Sequence, residues 1–433
     1  MHMADALLSP AVGATMWAGA AGTIAYCSRK VRRELDDRKV PLMGVLGAFL
    51  FAAQMINFTI PATGSSGHLG GGLLLAILLG PHAAFLTIAS VLMIQALFFA
   101  DGGLLALGCN IINLGIFPAF VAYPLVYRPL AGRSPGQGRI VVASLVAAVA
   151  GLLLGAFAVV LETALSDIAA LPFETFAKVM LPIHLGIGVV EGLVTAAIVA
   201  FVRKARPDVF RENGADGPGF MKSLVPAFLA LALVTGGFIS WLASEHPDGL
   251  EWSIRKVTGT GMVAGQAQGV HGLLAGIQEN LAFLPAYNFR KPARNLDVLP
   301  VAGSGAHLGG QKGERRLGTS LAGVVGALLT LGMALLVGIA LRRRQQLAAR
   351  KPHSHEHAHP HRHYHEHPHR HGNLEHSHRH EHEHSHPHPH VHDHSQPHPV
   401  DPNPRHSHDA EVAEHDHDHD HDAAGHGSHD HGH

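Results

Sequence analysis

The sequence predicts an all-α integral membrane protein: a polytopic bundle of about seven plus two transmembrane helices, followed by a disordered, histidine-rich tail. Three observations carry this. Apolar runs of membrane-spanning length recur through the first 345 residues. Lys and Arg gather in alternate short connections between them. Beyond residue 350 the composition changes abruptly to His, Asp, Glu, Pro and Arg. The formal net charge of −1 averages these unlike regions and identifies no partner. Short basic clusters flanking apolar runs, with only 6% aromatics, give nucleic-acid binding no support.

Apolar stretches of roughly 17–25 residues read as membrane helices. They occur at 9–27, 41–60, 104–127, 139–161, 176–203, 220–243 and 318–341. The stretch 69–100 is interrupted at Gly80-Pro81-His82 and reads as two helices, 69–81 and 83–100. Orientation follows from basic residues in short loops. The connections 28–40, 128–139 and 203–211 and the Arg342–Arg344 run are basic; 61–68, 101–103 and 162–175 hold no Lys or Arg. Basic loops in the cytoplasm put the N-terminus outside and, after nine crossings, the C-terminus inside a bacterial inner membrane. One helix over 69–100 would break that alternation.

The segment 244–317 is polar and Gly-rich, and reads as an outer loop. The chain therefore parses into a seven-span unit (1–205), a two-span unit (218–345) and a tail (351–433). MHMADALLSP lacks a basic leader region, so no cleavable signal peptide is expected and the N-terminus is expected to be retained. Cys27 and Cys109 lie in or beside apolar segments, so no disulfide framework is expected.

His2 stands where a terminal chelate is feasible. The Met1 α-amine, the His2 backbone nitrogen and the His2 ring Nδ1 close a five-membered and a six-membered ring on one ion. Deprotonating the amide calls for a metal that favours square-planar nitrogen ligation, Ni(II) or Cu(II). The other reading is an ordinary residue of a frayed terminus. His68, in PATGSSGHLGGG, lies in a loop expected on the same outer face. Its imidazole suits the fourth corner of the square; the other reading is a surface histidine among flexible glycines.

MHMADALLSP at 1–10, GSSGHLGGGLLLAILLGPHAAF at 64–85, QALFFADGGLLALGCNIINLGIFPAFVAY at 95–123 and HLGIGVVEGLVTA at 184–196 resemble the nickel/cobalt substrate-capture component of energy-coupling-factor transporters. PDGLEWS at 247–253 resembles that family's small two-span accessory subunit, here fused behind the first unit. The resemblance implies metal ligation by Met1, His2 and His68. It also implies partner chains: a membrane coupling subunit and cytoplasmic ATP-binding cassette ATPases. The HLGGG form is more like the nickel branch than the cobalt branch.

His184 and Glu191 lie two turns apart on one helix face. They read either as a second metal stop or as a hydrogen-bonded pair that packs helices. His82 reads as a helix-end cap. Asp101 reads as neutralising the outer vestibule or capping the helix from 104. Asn110 and Asn113 are candidate hydrogen-bond partners behind the ligands. His271 and His307 sit in Gly-flanked stretches, and His307-Leu308-Gly309-Gly310 partly repeats the His68 motif. They read as a weak collecting site or as chance in a Gly-rich loop.

Of 38 histidines, seven precede residue 351, and the other 31 crowd the last 83 residues. That segment has too few apolar residues to fold. It reads as a weak multi-site metal buffer or acceptor, or as a dispensable appendage.

No G-x-x-x-x-G-K-[ST] phosphate loop occurs, so ATP-driven import requires another chain. The leading expectation is the capture subunit of a nickel(II) importer, or of a cobalt(II) importer serving cobalamin synthesis. A secondary nickel/cobalt exporter lacks its i, i+4 His/Asp pairs here, and a membrane metal sensor is the remaining alternative. No nucleophile–base pattern or His-Glu-x-x-His helix suggests an enzyme.

Overall fold

The computed structural model describes residues 2–33, 39–133, 135–205, 219–259, 268–290, 312–349, 353–371 and 373–392. Helix α1 (Pro10–Arg33) opens on a proline, whose fixed φ suits the first turn. It runs six residues past the expected end because Lys30, Arg32 and Arg33 continue it well and complement its C-terminal dipole. Helix α2 (Lys39–Gln54) ends earlier than expected. Phe58–Ile60 is instead a strand, β1, paired antiparallel with β2 (Ser65–Gly67). Aromatic and β-branched residues followed by Pro61 and a Gly64 with φ of 72° favour a hairpin over another helical turn.

The break at Gly80 is real. Helix α3 (Gly72–Leu79) stops there, and α4 (Pro81–Phe99) starts on the proline. The expectation of a helix from 69 needs correcting, since α3 has only 8 residues and residues 68–71 are not helical. About 12 Å of helix cannot cross a bilayer alone. Irregular buried backbone is tolerated only where protein satisfies its polar groups. Here Glu191 accepts from the Gly70 and Gly71 N–H groups, both at 2.9 Å, and Gln54 Nε2 donates to the Gly70 carbonyl at 3.0 Å.

Helix α5 (Leu107–Ala131) winds as a wide π-helix over Ile112–Tyr127, where Pro118 and Pro124 each remove an N–H from the ladder. Helices α6 (Gln137–Ser166) and α7 (Phe173–Ala205) pack through a G-x-x-x-G seam. A Cβ on Gly188 would lie 3.0 Å from Val149 Cα, and one on Gly192 would lie 2.6 Å from Leu145 Cα. The two-span part, α8 (Gly219–Gly237) and α11 (Lys312–Ala349), uses the same device: a Cβ on Gly236 would lie 3.0 Å from Gly323 Cα.

Between them, the expected polar loop is partly helical: α9 is Gly249–Thr258 and α10 is Gly269–Leu281. Asp248 caps α9, accepting from Glu251 N at 2.8 Å. Among the described residues five helices are long and apolar enough to cross a membrane: Pro81–Phe99, Leu107–Ala131, Gln137–Ser166, Phe173–Ala205 and Arg316–Arg343. Lys39–Gln54 and Val225–Gly237 are shorter apolar helices. Apolar side chains such as Leu165, Leu193, Phe201 and Leu336 face outward, while Phe51, Phe85, Phe99 and Phe176 are fully buried. That inside-and-outside apolarity marks a bundle built for lipid.

The tail forms a separate unit. Its backbone pairs β3 (His353–His371) antiparallel with β4 (Leu374–His392), a regularity that composition does not predict. Its described side chains build no core, since Tyr364 and Leu374 are exposed.

Candidate metal centre

The N-terminal segment is threaded into the bundle rather than frayed. Met3 N donates to Asn110 Oδ1 at 2.8 Å, and Asn110 Nδ2 donates back to Met3 O at 3.4 Å. Gly103 N also donates to Met3 O at 2.9 Å. Asp5 accepts from Ala106 N at 2.9 Å and so caps α5. That role was one of two expected for Asp101, and it falls instead to a residue about a hundred positions away. A Cβ on Gly103 would fall 1.8 Å from Asp5 Oδ1, so the strand of chain at 2–5 fits only against a bare backbone.

This threading buries His2 and brings it to His68. Their rings stack with centroids 4.9 Å apart and planes 8° from parallel. His2 Nδ1 lies 3.1 Å from Asp101 Oδ1, and its Nε2 is buried without a hydrogen-bond partner. Two imidazoles bind one ion in their ring planes, so a shared ion needs one of these rings to turn. The His68 Nδ1 lies 3.2 Å from Leu69 O; with that nitrogen donating, the lone pair sits on Nε2. Burial pushes the His68 pKa down to about 3, so the ring is neutral at neutral pH. Met1, whose amine would complete the chelate, lies outside the described residues. Among the described residues no three His, Cys, Asp or Glu side chains form a group that could hold a metal ion.

Asp101 is the hub behind His2. Burial raises its carboxyl, but the His2 charge and hydrogen bonds from His2 and Tyr287 outweigh this and hold it below the ordinary carboxylate range. The Tyr287 hydroxyl donates to Asp101 Oδ2. Tyr287 comes from the 244–317 segment, so the two-span part touches the hub directly.

The loop carrying His68 is clamped from three sides. Glu191 and Gln54 hold its glycines, and Gln95 Nε2 supports Gln54 at 2.8 Å. The third clamp is the Pro247–Gly249 turn. Ser66 N donates to Pro247 O at 2.8 Å, and Ser66 Oγ donates to His246 O at 2.8 Å. Trp252 Nε1 donates to Thr63 O at 3.0 Å.

Other expected residues take different posts. Glu191 and His184 do not pair: both Glu191 oxygens hold the loop, and His184 Nδ1 lies 2.7 Å from Met180 O of its own helix. Asn113 sits away from His2, donating to Glu162 at 2.9 Å. His82 packs against Tyr26 and Phe120. His271 is not a collecting residue: it is buried, with Nε2 2.8 Å from Leu8 O, pinning α10 to the N-terminal segment. His307 lies outside the described residues. Sequence reasoning missed Gln54 and Tyr287, whose partners are distant in the chain, and Asp248, which caps α9.

Residues 2–209 match the family model described as "Cobalt uptake substrate-specific transmembrane region", and residues 222–343 match the PDGLE domain. A protein of Haloquadratum walsbyi, named for metal transport, is 37% identical over 211 residues, 48% of this chain and 93% of its own length. The chain belongs to the cobalt uptake substrate-specific transmembrane family. A fused nickel transport protein, NikMN, of Archaeoglobus fulgidus is 36% identical over 221 residues, 50% of this chain and 70% of its own. A cobalt transport protein, CbiM, of Geobacter sulfurreducens is 33% identical over 234 residues, 51% of this chain and 65% of its own. As a member of the cobalt uptake family with a PDGLE domain behind it, the chain is a multi-pass membrane protein of metal transport. The resemblance to a nickel/cobalt capture component fused to its accessory subunit holds.

Proposed function

We propose that this chain is the metal-capture subunit of an ATP-driven nickel(II) importer, with cobalt(II) as the alternative cargo. The observation that carries the reading is the burial of His2 against His68 at the end of a threaded terminus. The cargo ion is held by the Met1 amine, the His2 amide nitrogen and ring, and His68. A half-turn of the His2 ring about Cβ–Cγ takes Nδ1 from Asp101 to the ion. Asp101 and Asn110 position the chelate, since groups behind a ligand set its orientation. Binding releases the amine and amide protons, so affinity falls in acid.

The nickel reading draws support from the square-planar preference such a chelate imposes and from the likeness to a fused nickel transport protein. The likeness to a cobalt transport protein keeps cobalt in play. The terminus faces outward, a membrane coupling subunit and cytoplasmic ATPases supply the drive, and residues 351–433 receive metal inside. The three-part division at 1–205, 218–345 and 351–433 follows these roles.

The test is radioactive nickel uptake by cells carrying His2→Ala or His68→Ala in the full chain with its partner subunits. Loss of about 100-fold or more in both variants is expected. Uptake at the parental rate in either one sinks the assignment of that ligand.

A further inference from the structure

Helix α10 (Gly269–Leu281) has three faces, where a helix lying on a protein in water needs only two. One flank is bound to the bundle. His271 Nε2 lies 2.8 Å from Leu8 O, and Gln278 Nε2 donates to Ala96 O at 2.8 Å and to Gly102 O at 2.7 Å. A second face is wet: Glu279 is exposed there, on the side of the helix shared with Gly272, Ala275 and Gly276. The third face lies opposite Glu279 and is apolar. Val270, Leu273, Ile277 and Leu281 follow one another at helical spacing, and they are 45%, 65%, 41% and 44% exposed. Packing within the chain leaves this stripe uncovered.

The contacts of α10 fix its depth. Helix α4 has 19 residues, about 28 Å of helix, close to the ~30 Å hydrocarbon core of a bilayer. Its last turn, residues 96–99, therefore meets the headgroup region, and that is where Gln278 is bonded. Phe283, just past α10, is exposed and packs its ring 5.8 Å from those of Phe98 and Phe99. Direction follows from Leu274, which adjoins the stripe. It lines a wholly apolar cavity of about 440 Å³ with Trp17 of α1 and Met93 and Leu97 of α4. Met93 lies about a turn deeper in α4 than the Gln278 contact. The stripe is thus on the side of α10 toward the membrane interior, and Glu279 is on the side away from it.

We infer that α10 is an interfacial helix, lying along the bilayer surface on the side of the N-terminal segment, with Val270, Leu273, Ile277 and Leu281 sunk among lipid acyl chains. An apolar face below, a polar face above and a modest length are the marks of such a helix. The segment 244–317 is then not wholly an aqueous loop. Because α10 is tied to Leu8 and Gly102, beside the metal centre, the bilayer becomes one of the supports of that centre. Calling this leaflet the outer one rests on the proposed orientation; the lipid contact itself does not.

The experiment attaches the fluorophore nitrobenzoxadiazole at Leu273→Cys or at Glu279→Cys in the full chain. Cys27 and Cys109 are buried, so labelling is selective, and both new positions are exposed, so no label displaces packed atoms. The chain is read in phosphatidylcholine nanodiscs, alone and with its partner subunits. Two quenchers are used: iodide in the water, and lipid carrying a nitroxide high on its acyl chain. The Leu273→Cys label is expected to emit at shorter wavelength, to lose most of its intensity to nitroxide lipid and to ignore iodide. The Glu279→Cys label is expected to do the reverse. Quenching of the Leu273→Cys label by iodide and not by lipid overturns the inference. Shielding from both quenchers also overturns it, because protein then covers the stripe. Equal lipid quenching of the two labels does so too, since a helix lying at the surface keeps one wet face. The readout uses no nickel, so failure of the capture assignment leaves it unaffected.

Discussion

The molecule carries histidine in two contrasting ways. Before residue 351 there are seven histidines, and His2, His68, His184 and His271 are each buried with a specific neighbour. After it there are 31, with no packed apolar residue among the described ones. The tail is rich in donors, and its described part is an antiparallel hairpin whose described side chains build no core. The bundle offers few donors, each aimed by packing. Donor count and donor placement are thus separated: a selective site needs a rigid frame to fix which donors meet.

The sharpest way to break this contrast is to remove each side in turn. His2→Ala should abolish uptake, whereas deleting residues 351–433 should lower it by no more than about threefold. If the deletion matches the point mutant, measured as initial uptake rate, capture depends on the tail and the contrast collapses. Next in size is Gly103→Ala. The added methyl meets Asp5, so the threaded terminus must leave its slot. Nickel affinity at the bundle should fall about 100-fold with the helical circular dichroism unchanged, and a parental Kd by calorimetry on tail-deleted protein would contradict the threading.

Glu191→Gln should act on the loop rather than the ligands. It replaces one of two charge-assisted acceptors with an amide that cannot accept from the second N–H. A loss of about 3 kcal/mol in stability is expected, read as a lower Tm in detergent. An unchanged Tm would mean the loop is held by the Pro247 turn alone.

The smallest effect is at Glu251, next to that turn. Burial, and then the Asp248 charge, push its pKa up to about 7. A carboxyl raised on folding binds its proton more tightly in the native state. It destabilises as pH rises through the unfolded value of 4.5 toward 7, with the loss complete above that. Glu251→Gln should therefore match the parent at pH 4 and melt slightly higher at pH 8. Equal melting at both would remove the assigned burial.

Much of the frame was legible beforehand. Gly80-Pro81 marks its helix break because a positive φ and a missing N–H end a helix in any context. The basic loops and apolar runs mark the spans, because transfer of side chains into lipid depends on composition. The early end of α2 and the irregular stretch 68–71 were not legible. An apolar run looks alike whether it lies in helix or strand, and the groups that accept this irregular backbone, Glu191 and Gln54, are supplied from other helices.

The sequence by itself determined the class, the order of spans, the position of His2 and His68, and the separate nature of the tail. All of these follow from local chemistry: hydropathy, turn residues and composition. Only the tertiary structure decided which groups stand behind the two histidines. Asp101 meets Tyr287, Asn110 grips Met3, Asp5 caps α5 and Asp248 approaches His184, all across long chain separations. Those contacts depend on how close two backbones come. In this bundle that closeness is set by glycines such as Gly103, Gly192 and Gly249, whose missing side chains have meaning only once a neighbour is in place.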